Sequence, residues 1–520
     1  MAEGDRLRHL AIRGVGVTVF AQGLSFAIHM ISTVVLARLL MPADFGVVTM
    51  VTTFSVLLVS CGQIGFPDAV CQRDEMDCLL ASNLFWINVG IGTVLTVIFA
   101  AAGPLLAKLY GDTRVGPVAI GISLTIFLTS TSVLHTALLK RAMRFTAVSV
   151  NEIVGRTVSI IVSIVFAWKG WGYWALVLGA VALPLSTTIG AWVLCPWLPG
   201  LPRRAEGTSS TMRFARDVFA RWTIGYFTQN TDNLLVGWRF GPTSLGFYKK
   251  AYDIFVLPFN LLTVYPVAVS TLSRLRRNPV QYKRYFLDGL SVLALVGMGL
   301  GADLTLVGKD LVSVLLGARW EMAGRIFVFF GPGIGIMLIY SAHHMVHLSL
   351  GTTGRFFRWG LIEISVTCLM FLLGLPWGPI GVAIAWTVAS WTLTIPAFWY
   401  AGKPIQLGAT QVIGAIWKFI VASLLAACAC VGIMKNVPAL ITAPGSIGAL
   451  SRIASISFAF VLLYAGAIFA LHGGNAPLKR LVGIVREMSP WNRSTRAVPS
   501  PQLVATEALH ASQATSDGAV

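Results

Sequence analysis

Apolar stretches of about 20 residues recur along this chain from Val15 to Leu471 with short polar breaks between them, and each is long enough to cross a hydrocarbon core of roughly 30 Å as a helix. They lie near 15–36, 45–65, 84–107, 117–139, 149–168, 171–195, 218–238, 245–272, 286–306, 323–350, 357–375, 378–400, 411–434 and 450–471. The expected fold is therefore an all-α membrane protein of about fourteen transmembrane helices. Composition agrees. Of 520 residues, 12% are charged, against roughly 25% in a soluble domain, and mean hydropathy is +0.76. A water-soluble enzyme is excluded.

The formal charge of +18 reads as topology, because the basic residues concentrate in alternate loops and form no basic-aromatic stripe on a soluble module. Nucleic acid is thus no expected partner. The richer loops hold Arg6, Arg8 and Arg13; Lys140, Arg141 and Arg144; Arg203, Arg204, Arg213 and Arg216; Arg274, Arg276, Arg277, Lys283 and Arg284; Arg355 and Arg358; and Lys479, Arg480 and Arg486. That alternation predicts both termini in the cytoplasm. The first apolar stretch is too long for a cleaved signal peptide and is expected to stay as the first span. Seven scattered cysteines fit neither a zinc site nor a disulfide framework.

The chain also resembles itself. Pro42-Ala43-Asp44-Phe45-Gly46 matches Pro242-Thr243-Ser244-Leu245-Gly246, and Leu109-Tyr110-Gly111 matches Leu315-Leu316-Gly317. Arg144-Phe145 matches Arg355-Phe356, and Gly172 to Ala175 loosely matches Gly381 to Ile384, so the offsets are 200, 206, 211 and 209 residues. Four landmarks in the same order predict two parallel six-helix lobes, 1–210 and 211–405, related by an axis along the membrane normal. Two additional transmembrane helices follow in 406–471. The polar tail, 472–520, reads as a mostly disordered cytoplasmic extension.

An ionisable group inside a span is costly unless it meets a partner or water. In the seventh span Arg221, Thr228, Asp232 and Arg239 fall within about 40° of one helical face, flanked by Gln229 and Asn233. In the first span Thr18, Gln22, Ser25, His29 and Thr33 make a similar stripe. Two such seams facing each other would line a wet central cavity; the plainer reading is interhelical hydrogen bonding. Arg156, Glu363 and Lys418 are further intramembrane charges, and Arg156 suits an anion because guanidinium grips phosphate in a fixed, bidentate geometry. Lys249, Lys250, Tyr252 and Asp253 cluster near the external end of the eighth span, as a cavity mouth or an interfacial anchor. His343-His344-x-x-His347 has ligand spacing but no acidic partner close in sequence, so no metal is expected there. No phosphate-binding loop, nucleophile elbow or paired catalytic carboxylates are present, and no catalytic residue or cofactor is expected.

The run Ser32 to Gly46 resembles the signature opening of Wzx-type polysaccharide flippases, within the multidrug/oligosaccharidyl-lipid/polysaccharide exporter superfamily. Gln229 to Gly237, Gly246-Phe247-Tyr248 and Leu138 to Phe145 fit the same family, and the similarity covers about 1–470. The resemblance implies alternating access, an undecaprenyl-diphosphate-linked oligosaccharide as substrate, and a place in surface polysaccharide assembly in the bacterial inner membrane. It also implies a proton or sodium gradient as driver, and a polysaccharide polymerase and chain-length regulator as candidate partners. On that reading Arg221, Arg239 and Arg156 pair with diphosphate, while Gln22, His29, Gln229 and Asn233 meet sugar or water. Asp232 and Glu363 serve ion coupling or charge balance. The alternatives are a drug/cation antiporter of the same superfamily, which would favour carboxylates in its cavity, and a membrane-embedded polymerase or ligase, which would usually present a large external loop.

Overall fold

The computed structural model describes residues 23–24, 26–63, 67, 70, 78–202, 208–262, 265–436, 445–477 and 479; at 62, 208–218, 220–221, 224, 260–262, 265–267 and 446 it describes the backbone alone. The expected tail beyond 479, with Gln22 and Cys71, lies outside the described residues.

Among the described residues all regular structure is helical. In chain order the helices are α1 (Phe26–Leu39), α2 (Pro42–Gln63), α3 (Cys78–Ala101), α4 (Gly103–Tyr110), α5 (Val115–Ser130), α6 (Val133–Arg141), α7 (Phe145–Trp168) and α8 (Tyr173–Leu194). They continue with α9 (Thr208–Leu262), α10 (Tyr265–Arg274), α11 (Pro279–Leu316), α12 (Glu321–Leu350), α13 (Thr353–Gly374), α14 (Gly378–Gly402), α15 (Ala409–Asn436) and α16 (Gly445–His472). Ten stretches are long and apolar enough to cross a membrane, one of which, Thr353–Ile405, holds both α13 and α14. The described part of α1 is too short to qualify and α9 too polar, for α9 carries the seam of arginine, aspartate and amides. With these the helices account for the expected crossings.

α9 is bent at Gly241, whose φ of 77° favours glycine, and Pro242 starts the second arm where a missing N–H costs nothing. This bend sets up the central packing of the molecule. A Cβ on Gly46 would lie 1.7 Å from the carbonyl oxygen of Pro242, and one on Gly246 would lie 1.9 Å from that of Pro42. The repeated motifs thus pack on each other reciprocally, each glycine under the other copy's proline, as a local two-fold demands.

Aromatic and polar contacts close the same end. Trp320 lies edge-on to Phe45 and Phe247, with centroids 5.4 and 5.9 Å away, and its indole N–H donates to the Ala37 carbonyl at 2.8 Å. Arg38 donates to the Val314 carbonyl at 2.9 Å. One buried core runs through this end from α1 and α2 across α9 to α12 and α14, drawing on both repeats. At the far end the described cores are separate: Leu80, Leu84, Phe85 and Leu134 form one in the first repeat, and Tyr282, Phe286, Phe398 and Phe419 belong to another in the second. Among the described residues, then, the buried core shared by both repeats lies at the Pro42 end.

Without a hydrophobic force between helices in lipid, close contact comes from small residues. Gly297 and Gly301 of α11 abut Gly335 and Gly331 of α12, where added Cβ atoms would meet backbone at 3.0–3.3 Å. α15 and α16 pack on α11 and each other, and Arg452 holds Asp310 at 2.7 Å. Large apolar side chains such as Val97, Leu105, Val193 and Phe458 are more than half exposed and mark the lipid face.

Candidate functional site

Between α2, α5, α6, α7 and α8 the first repeat encloses a cavity of about 600 Å³, within the range of small-molecule pockets. Its wall is rich in hydroxyls and amides, among them Thr52, Ser55, Thr129, Ser132, Thr136 and Asn151. Ser132, between α5 and α6, donates to the Thr129 carbonyl of α5 at 3.0 Å, and the Asn151 amide donates to Thr187 O at 2.8 Å. Such groups keep acceptor capacity for hydroxyls arriving from a ligand. Among the described lining residues Lys140 and Arg156 are the cations and Glu152 the single carboxylate. Arg156 is exposed at this wall, and no ion pair among the described residues takes up its guanidinium.

The second repeat carries a charge cluster on the second arm of α9. Lys249 lies 2.8 Å from Asp253 and Lys250 3.6 Å, so two ammonium groups share one carboxylate. Lys250 is buried, 4.3 Å over the ring of Phe45 on α2. His29 on α1 is exposed and stands in the electrostatic field of Lys250, Asp253, Arg156 and Lys249 together. His29 is thus the described residue whose charged neighbours come from both repeats, Arg156 from the first and Lys249, Lys250 and Asp253 from the second.

Asp232 does not open onto that space. It is fully buried, accepting from Tyr248 Oη at 2.8 Å and from the Asn233 N–H at 2.7 Å. The seam expected along α9 as one open face is thus divided, because the bend at Gly241 folds the second arm back over the Asp232 side of the first. Lys249 stands within the field of Asp232. Asn233 is buried, its amide 3.4 Å from Asn230 Oδ1, while Gln229 is exposed. Arg239 is exposed beside the bend, 5.9 Å over Phe240, apart from the Arg156 cavity. The side chain of Arg221 lies outside the described residues, as does Gln22.

Glu363 has a different neighbourhood from any expected. It sits on α13 against α12, where one ligand atom each from His343, His344 and Glu363 lie within 4.8 Å of one another. The expectation of no metal there rested on the lack of an acid nearby in sequence; α13 supplies one across the helix turn. Lys249 and Lys250 were legible only as a mouth or anchor. The overlooked signal was two lysines against one acid inside a nominal span, an imbalance that a merely structural cluster has no reason to keep.

A family model described as polysaccharide biosynthesis protein matches residues 35–324. The chain is 21% identical over 323 residues to the lipopolysaccharide biosynthesis protein WzxC of Escherichia coli (strain K12), covering 61% of this chain and 65% of that protein. It is 21% identical over 379 residues to the succinoglycan biosynthesis transport protein ExoT of Rhizobium meliloti (strain 1021), covering 72% of this chain and 76% of that one. The chain thus spans slightly under two thirds of the first relative's length. Among solved structures, the lipid II flippase MurJ in an inward closed conformation superposes with a TM-score of 0.69 at 14% identity, over 88% of this chain and 99% of MurJ. An inward-facing multidrug resistance MATE family transporter of the MOP superfamily gives 0.58 at 14% identity, over 73% and 94% of the two chains. At such identities these structures establish the fold.

Proposed function

Because the chain belongs to the polysaccharide biosynthesis protein family, we propose that it flips a lipid-linked oligosaccharide, a polyprenyl diphosphate bearing a saccharide repeat, across the bacterial inner membrane by alternating access. The observation that carries this reading is Arg156 at the wall of a hydroxyl-lined cavity, free of ion pairs among the described residues, with His29 under the charge of both Arg156 and the Lys249–Lys250–Asp253 cluster of the opposite repeat. A diphosphate needs fixed cations to leave water, and guanidinium meets phosphate with paired hydrogen bonds. The saccharide needs acceptors for its hydroxyls, which the Ser, Thr and Asn wall offers. The polyprenyl tail stays in lipid.

The halves, 1–210 and 211–405, act in this proposal as two lobes rocking about the Pro42–Gly46 and Pro242–Gly246 contact, with 406–471 riding on the second. In this reading loop charge puts the Pro42 end outside and both termini in the cytoplasm. The buried Asp232 is the coupling-ion candidate of the second lobe, for protons or sodium. A drug/cation antiporter fits less well, since cations outnumber carboxylates among the described residues of the cavity wall.

Alanine at Arg156 in a chromosomal copy tests the assignment. We expect loss of surface polysaccharide at unchanged protein level, with partial rescue by Arg156→Lys; full surface polysaccharide in Arg156→Ala would remove the cavity's assigned role. Arg221→Ala, Arg239→Ala and Gln229→Ala extend the test along α9.

A further inference from the structure

Away from the cavity, α12 and α13 bring together His343, His344 and Glu363, one ligand atom from each lying within 4.8 Å of the others. We infer that these three side chains form a binding site for a divalent transition metal of the zinc type, in the second repeat and separate from the Arg156 cavity.

Three features go beyond proximity. His343 is fully buried, and its Nδ1 is 2.6 Å from the Tyr340 carbonyl oxygen. A carbonyl only accepts, so Nδ1 carries the proton and Nε2 holds a free lone pair. That Nε2 is buried and has no hydrogen-bond partner among the described residues. A ring fixed in this way by a backbone carbonyl is how metal-bound histidines are oriented. Next, the carboxylate has a fixed neighbour: Glu363 lies beside Tyr340, whose hydroxyl is itself held by accepting from Trp359 Nε1 at 3.1 Å. Finally, His344 and Glu363 are only partly buried, which leaves an entry path to His343 behind them. Arg355, the nearby cation, is turned onto the carbonyl and ring of Tyr400, so it does not occupy the carboxylate.

Two imidazoles and one carboxylate suit zinc, cobalt or nickel, and leave a fourth tetrahedral position open; calcium and magnesium require more oxygens than this set provides. Metal–ligand bonds of about 2.0–2.1 Å put tetrahedral ligand atoms about 3.3 Å apart, so closure asks for side-chain shifts of about 1.5 Å or less. Seated there, the ion would fasten α12 to α13.

The test uses the full-length protein in detergent with any affinity tag removed. Equilibrium dialysis against Zn²⁺ with metal analysis should find one ion per chain at micromolar concentration, undisturbed by millimolar Mg²⁺ or Ca²⁺. Co²⁺ should give the visible absorption bands of tetrahedral nitrogen and oxygen ligation. Glu363→Gln and His344→Gln should each lower affinity at least tenfold, while the metal-free proteins keep the parent's melting temperature and elution position. Absence of a stoichiometric ion in the parent, an octahedral cobalt spectrum, or undiminished binding by the Glu363→Gln/His344→Gln double variant would overturn the site. The cobalt spectrum of the parent decides the matter even if a variant does not fold.

Discussion

Replacing Gly46 with alanine should shift the balance between the closed and open arrangements of the Pro42 end. The new Cβ would sit 1.7 Å from the Pro242 carbonyl oxygen and 2.8 Å from its Cα, and real Cβ contacts essentially never come below 3.0 Å. α2 and α9 must then part by at least about 1.3 Å, with backbone rather than a flexible side chain in the way. Overpacking of this kind costs about 1–3 kcal/mol, which corresponds to a roughly 5- to 150-fold change in the population of the state that makes the contact. An alternating-access protein can escape the cost by opening this end; a rigid bundle can only lose stability. Spin labels at Met41→Cys and Thr243→Cys, both exposed positions, would report the separation by pulsed electron resonance in nanodiscs. We expect a longer distance population in Gly46→Ala, and the same from Gly246→Ala, whose Cβ would meet the Pro42 carbonyl at 1.9 Å. Parental distances and melting temperature in both variants would refute the reciprocal packing.

Two further outcomes follow from buried or clamped charges. Tyr248→Phe removes the hydroxyl bonded to Asp232, leaving a buried carboxylate short of a donor; unfolding should come earlier by about 1–3 kcal/mol, and Asp232→Asn in that background should recover part of the loss in thermal melts. At the turn before α5, hydrogen bonds from the Arg114 guanidinium hold the Asp112 carboxyl below its ordinary value. A lowered native pKa adds stability above the unfolded value of about 3.9 and loses it as pH falls through the native one. For so open a pair the gain is at most about 1 kcal/mol, so Asp112→Asn should melt earlier than the parent at pH 7, and the difference should shrink as pH falls below the unfolded carboxyl's value.

The membrane fold was legible because long apolar runs admit few alternatives in lipid, and the pairing of Pro42-x-x-x-Gly46 with Pro242-x-x-x-Gly246 gave the register of the repeats before their contact was known. The facing of α9 was not legible. At about 100° per residue Asp232 and Arg239 share a side, yet Gly241 bends the helix so that Tyr248 covers the aspartate while the arginine stays outside. Nor could spacing join Glu363 to His343 and His344, since α12 ends and α13 begins between them. Lys250 reads in sequence as one more basic residue at a span end; its place over Phe45 depends on how the two repeats meet.

The central claim is that cations from both repeats hold a diphosphate headgroup during transfer between leaflets. Proteoliposomes loaded with a fluorescent polyprenyl-diphosphate oligosaccharide measure this directly, by the rate at which an impermeant quencher gains access to the label. The purified chain should speed transfer well above protein-free vesicles, Arg156→Ala should slow it by about 10- to 150-fold for a lost charge-assisted bond of about 1.5–3 kcal/mol, and a dephosphorylated polyprenol analogue should not move. Equal rates for parent and Arg156→Ala, or equal transport of the uncharged analogue, would contradict the account.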